Sequence, residues 1–200
     1  MSIIISELAQ MDDKKRDVAR VVWRAMKANL VEWTPEVSKA KPHGLLYHIK
    51  YKIVRFPYTM TSVPLHWSES VKSQYGYITS TIKNEDPMKA TTKDHLMGSY
   101  VVGEYAMDRP DIYLADGTLD KFTEELFPYM FLTNYVTNDE NDKLSNLKGK
   151  ILTKDKYETV GIVLYNRYGQ ICENPLPPES LTLWESEKYR IGNTLNAFLN

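Results

Sequence analysis

Two hundred residues with 42% hydrophobic side chains are enough for one well-packed domain but hardly for two independent ones, and a formal net charge of −1 excludes a chain drawn to nucleic acid by its overall field. The single cysteine, Cys172, excludes an internal disulfide and a cysteine-based zinc cluster. No run approaches the ~18 uncharged apolar residues of a membrane span, and Met1 to Ile5 is too short for the apolar core of a signal peptide, so the chain reads as cytoplasmic and free of membrane.

Taken in order, apolar residues at Met11, Val18, Val21, Val22, Ala25, Met26 and Leu30 have a helical period, with Asp12 or Asp13 as the N-cap. Trp33 to Gly44 holds two prolines and no period, and reads as a connector. Leu45 to Val54 alternates, with Leu45, Tyr47, Ile49, Tyr51 and Ile53 on one face and mostly polar residues on the other, which predicts a half-buried strand. A loop through Pro57 and Pro64 precedes a second strand over Tyr75 to Ile82, and Asn84 to Pro87 is turn chemistry.

Met88 to Leu96 is a short strand, Tyr100 to Met107 is extended after a turn at Gly98-Ser99, and Asp116-Gly117 is another turn. Thr118 can cap a helix with Leu119, Phe122, Leu126 and Tyr129 at helical spacing, bent by Pro128. Phe131 to Val136 is β-prone. Thr137 and Glu140 then have the Thr-x-x-Glu spacing of a capping box, which starts a helix over Asn138 to Leu147. Thr159 to Tyr165 predicts a strand ended by Arg167-Tyr168-Gly169, and after Pro175, Pro177 and Pro178 a final helix runs from about Ser180 to Leu199.

Strands and helices in this order predict a mixed α+β domain with antiparallel strands and helices at both termini. Its parts are a helix and strand region over 1–87, a central segment over 88–150, and a C-terminal strand and helix over 151–200. No glycine-rich phosphate loop or GxSxG elbow is present.

Chemistry concentrates at Thr92-Lys93-Asp94-His95-Leu96 and at Val136 through Asn141 to Leu144. Hydrolysis of a phosphodiester needs an activated water and charge stabilisation. A histidine of pKa near ~6.5 can take the water's proton, and a hard cation that wants oxygen ligands suits Asp and Asn side chains. Adjacent strand residues face opposite ways, so Asp94 and His95 can act together only at a strand end or bulge.

An Asp-His on a strand end followed by an Asn on a capped helix resembles the HNH, or His-Me finger, endonucleases with their ββα-metal site, over roughly Thr91 to Leu147. The resemblance implies a Mg²⁺- or Mn²⁺-dependent endonuclease, with His95 as general base and Asp94 and Asn141 as metal ligands. The family's central asparagine, which orients the base, has Asn134 and Asn138 as its nearest counterparts. The interval from His95 to Asn141 is longer than in the compact motif and requires an inserted helix at Thr118 to Tyr129.

Lys143, Lys148, Lys150, Lys154 and Lys156 face only Asp155 among acids, which makes either a phosphate-contacting patch or an ordinary solvated face. The partner implied is nucleic acid, most readily DNA, met by a monomer or by a homodimer cutting a palindrome. Tyr47, Tyr51, Phe56, Tyr58, Trp67, Tyr75 and Tyr77 supply either core packing or a base-stacking surface. His48 reads as a surface residue, His43 and His66 as loop residues beside prolines, either of which could flank a site though neither has metal-ligand spacing around it, and Cys172 as a buried small hydrophobe. The alternative function is a non-catalytic binding or assembly protein, such as a virus-like structural or regulatory component, with its N-terminal helix and aromatics as contact surfaces.

Overall fold

A computed structural model describes residues 5–41, 43–55, 62–147 and 151–189. Its principal elements are α1 (Asp13–Ala28), α2 (Leu45–Arg55), β1 (Val63–Ser68), α3 (Glu69–Tyr75), β2 (Thr91–His95), α4 (Ser99–Met107), β3 (Leu132–Thr137), α5 (Asn138–Asn146), α6 (Lys156–Thr159), β4 (Leu164–Tyr165) and α7 (Glu179–Tyr189). The fold is α+β. Residue contacts divide the chain into two compact units, Met1–Thr61 with Met97–Phe131, and Ser62–Leu96 with Leu132–Asn200.

The first unit is helical among the described residues. In α1, Asp12 accepts a hydrogen bond from the Lys15 N–H at 2.8 Å, the N-cap its sequence suggests, and Ala19, Val22 and Met26 form the buried stripe. The predicted strand over Leu45 to Val54 is instead α2. Its alternation also contains the i, i+4 pairs Tyr47/Tyr51 and Lys50/Val54, and the helical set Lys50, Ile53 and Val54 is what the fold buries. The extended stretch over Tyr100 to Met107 is likewise a helix, α4. Val102 to Met107 are all buried, which erases the period that distinguishes helix from strand. A Cβ on Gly103 would lie 2.6 Å from the Val54 carbonyl oxygen, so glycine is what lets α2 and α4 approach. Asp116-Gly117 is a turn with Gly117 at φ +84°, and the helical run from Leu119 to Met130 that follows is irregular, widening over Phe122–Leu126 and tightening over Phe127–Met130.

The second unit holds a four-stranded sheet in the order β2-β3-β1-β4. β1 and β3 run parallel while the outer pairs are antiparallel, so the sheet is mixed and not wholly antiparallel as expected. β1 lies where a loop was expected. Pro64 is tolerated because the register of β1 against β3 shifts between Pro64 and His66, and because β4 pairs only with Trp67 and Ser68. The strand predicted over Tyr75 to Ile82 is absent from the described residues: Tyr75 closes α3, and Gly76 at φ +69° stops it.

β2, β3 and the capped α5 stand where the sequence put them. Both halves of the capping box form, the Glu140 N–H donating to Thr137 Oγ1 at 3.2 Å and the Thr137 N–H to Glu140 Oε2 at 2.8 Å. Glu140 also accepts from the Ser68 and Ser70 hydroxyls at 2.7 Å each, and Leu144 packs with Val136, Tyr157 and Leu164, which seats α5 on one face of the sheet. The opposite face packs Trp67, Val71 and Tyr135, with the Trp67 and Tyr135 rings stacked 6.2 Å apart. β4 is shorter than the predicted strand because Thr159 closes the helical turn α6 and Gly161, at φ +69°, turns the chain before Leu164, and the final helix starts at Glu179 as expected, its predicted end beyond Tyr189 falling outside the described residues. Among the described residues no helix is long and apolar enough to cross a membrane.

Candidate functional site

One row of polar side chains crosses three strands of the second unit. Asn134 on β3 is paired with Asp94 on β2 and with His66 on β1, so all three project from the same face of the sheet. This is the face that also carries Val136 and receives Tyr157, and Asn174 completes the row by accepting from Asn134 Nδ2 at 2.8 Å. His66 and Asn134 are buried. Among the described residues His66 Nδ1 and Asn134 Oδ1 have no hydrogen-bond partner, two orphaned atoms in a single row. Burial lowers the His66 pKa and favours the neutral imidazole.

Asp94 ends the row and is held from α6. Lys156 Nζ lies 2.6 Å from Asp94 Oδ2 and also donates to the carbonyl oxygen of His95, while the Tyr157 hydroxyl donates to the same Oδ2. Burial, and then the Asp94 carboxylate, raise the Tyr157 pKa well above that of a free phenol, so this hydroxyl keeps its proton and remains a donor.

Of the residues suggested by sequence, Asp94 and Asn134 are brought together as direct cross-strand partners. His95 is the last residue of β2, and its pairing with Thr133 is regular, as is the hydrogen bond of the Leu96 N–H to Leu132 O beyond it. Alternation therefore turns Lys93 and His95 to the Tyr135 face, where Lys93 Nζ lies 5.4 Å from the Tyr135 ring, and away from Asp94. Asn141 is half-buried in the first turn of α5, next to the inward-facing Glu140, and makes no hydrogen bond to Asp94. Asn138 is the first residue of α5, its N–H donating to Ala90 O.

The lysine cluster is divided. Lys143 is exposed and paired with Asp139 at 2.7 Å, Lys154 lies 4.0 Å from Asp155, and Lys156 turns inward to Asp94; Lys148 and Lys150 lie outside the described residues. His48 is exposed, on a helix rather than a strand, and Cys172 is half-buried. Phe56 and Tyr58 lie outside the described residues, while Trp67 is core.

Tyr157 and Asn174 are the site's unforeseen members, and His66, read as a loop residue that could flank a site, lies in β1 opposite Asn134. Position 66 was hidden by Pro64, which argued against a strand, and position 174 by its place in a proline-rich run. For Tyr157 the sequence carried no signal, since only the packing of α6 brings it to Asp94. Among the described residues no three His, Cys, Asp or Glu side chains are grouped to hold a metal ion. The chain matches no family model, no curated protein and no solved structure in sequence or fold comparisons.

Proposed function

We propose that the second unit hydrolyses nucleic-acid phosphodiester bonds, with DNA as the substrate and Mg²⁺ or Mn²⁺ as the cofactor. The observation that supports this reading is the sequence of elements β2, β3 and α5: two antiparallel strands followed by a helix seated on them, with Asp94 opposite Asn134. The donor chemistry fits a hard cation. Asp94 offers a carboxylate and Asn134 an amide oxygen without a hydrogen-bond partner among the described residues, and Mg²⁺ commonly takes only one or two protein oxygens beside water and phosphate. In this reading Asp94 and Asn141 hold the ion, with Asn134 as a further donor. When bound, the ion supplies charge neutralisation at the phosphate.

His95 takes the proton of the attacking water at a ring nitrogen. Because alternation directs Asp94 and His95 to opposite faces, the scissile phosphate has to lie across the end of β2 for both to reach it. Lys143, Lys148, Lys150 and Lys154 bind the flanking backbone without reading bases.

Supercoiled plasmid incubated with the protein in Mg²⁺, Mn²⁺ or EDTA tests the reading. Metal-dependent nicking or linearisation that is lost in His95→Ala is expected, nicks pointing to a monomer and linear product to a dimer. No cleavage with either metal would sink it. A second reading, a non-catalytic binding or assembly module, is favoured by the engagement of Asp94 with Lys156 and Tyr157, which resembles a structural lock.

A further inference from the structure

We propose that Lys156 is a gate on the Asp94 carboxylate, its ammonium occupying the position of a cation so that a divalent ion gains Asp94 only by displacing it. This rests on the nuclease reading above and adds a means of control to the same site.

Three observations carry it. The ammonium lies 2.6 Å from Asp94 Oδ2 and is at the same time hydrogen-bonded to the His95 carbonyl, so one side chain spans both residues of the Asp-His pair. The two side chains are 13% and 18% exposed, sheltered enough that their charges are weakly screened, yet not sealed from solvent. Among the described residues both hydrogen bonds to the carboxylate, from Lys156 and from the Tyr157 hydroxyl, fall on Oδ2 and none falls on Oδ1.

An ion entering at the open oxygen of Asp94 would therefore sit within ~4–6 Å of an ammonium, and like charges at that separation in a sheltered site repel strongly. The ammonium hangs from α6, a helical turn of four residues whose Lys156 side chain has several rotatable bonds, so withdrawal does not require the sheet to change. A phosphate backbone arriving near α6 offers Lys156 an alternative anion. Substrate would then draw the ammonium off Asp94 and admit the metal in one event.

The test is Mn²⁺ binding, followed by electron paramagnetic resonance of the free ion at low salt without nucleic acid, on the full chain. Wild type should bind weakly, and Lys156→Met should bind roughly tenfold or more tightly, the release expected from removing one like charge at this range. Lys156→Arg keeps the charge and should remain weak. A Lys156→Met/Asp94→Asn double variant should lose the gain. Lys156→Gln provides a second neutral side chain if Lys156→Met folds poorly, circular dichroism being recorded for each.

Equal affinity in wild type and both neutral variants would overturn the gate while leaving the metal site standing. Tight binding by Lys156→Arg would also overturn it, since the effect would then not be one of charge. Retention of the gain without Asp94 would overturn it by moving the ion elsewhere. Absence of Mn²⁺ binding in every well-folded variant would overturn the metal reading itself, and the gate with it.

Discussion

Two lysine–carboxylate pairs in this chain have the same chemistry and opposite settings. In the helical unit Lys50 on α2 is paired with Glu104 on α4; the side chains are 5% and 0% exposed, and Lys50 Nζ also donates to Ser38 O at 2.8 Å. In the sheet unit Lys156 and Asp94 remain in touch with solvent, and a neutral tyrosine shares the carboxylate. A closed pair has nowhere to go when broken, because either charge left behind is stranded in an apolar interior. A pair with a route to water can exchange its cation for another. The difference separates an ion pair that serves the fold from one that is free to serve a reaction.

The sharpest way to break this comparison is to remove one ammonium at a time. Lys50→Met should destabilise by about 3–5 kcal/mol in urea unfolding, as expected when a buried charge loses its partner, and Lys50→Met/Glu104→Leu should recover most of it. A loss as small as that of an exposed pair would mean that water reaches Glu104. Glu140→Ala should cost on the order of 2–3 kcal/mol, because it removes half of the capping box and leaves the buried Ser68 hydroxyl without its acceptor. The milder Thr137→Ala should cost about 1 kcal/mol, and equal losses would show that the cap and not the serine contacts dominates.

Lys156→Met should cost less than Lys50→Met, roughly 1–2 kcal/mol, since Asp94 retains the Tyr157 hydroxyl and keeps some access to water. A loss near that of Lys50→Met would make this pair structural too. The smallest effect concerns pH. His66 has its native pKa lowered from 6.5 by burial, so protons bind the unfolded chain more readily. Stability is then complete above about 6.5, where both states hold neutral imidazole, and declines as pH falls from there toward the lowered native value. Thermal unfolding of wild type and His66→Gln between pH 7.5 and 5, a range spanning the ~6.5 of free histidine, should diverge below the midpoint; parallel curves would mean that His66 is not held neutral.

Local chemistry was readable in the chain wherever it was self-contained. The Asp12 cap, the helical period of α1, the Thr137–Glu140 box, the Asn84–Asp86 turn and β2 and β3 all follow from neighbours within a few residues, and each is present, although α1 buries Ala19, Val22 and Met26 and leaves Val21 exposed. Where two periods competed, or where burial on all sides erased the period, the tertiary environment decided. That is why Leu45 to Val54 alternates like a strand yet folds as α2, and why α4, with six consecutive buried residues from Val102 to Met107, could not be told from extended chain.

For the candidate site the division is similar. Residue types and order determined that Asp94 and His95 lie at the end of a strand and that a capped helix follows β3. Only the pairing of strands distant in sequence puts His66 and Asn134 in one row with Asp94, and only the packing of α6 lays Lys156 and Tyr157 on its carboxylate. Hydrogen bonds within a turn or a cap depend on chain connectivity, which the sequence contains. Cross-strand register and ion pairs 62 residues apart depend on which surfaces bury each other, and that is settled by the whole fold at once.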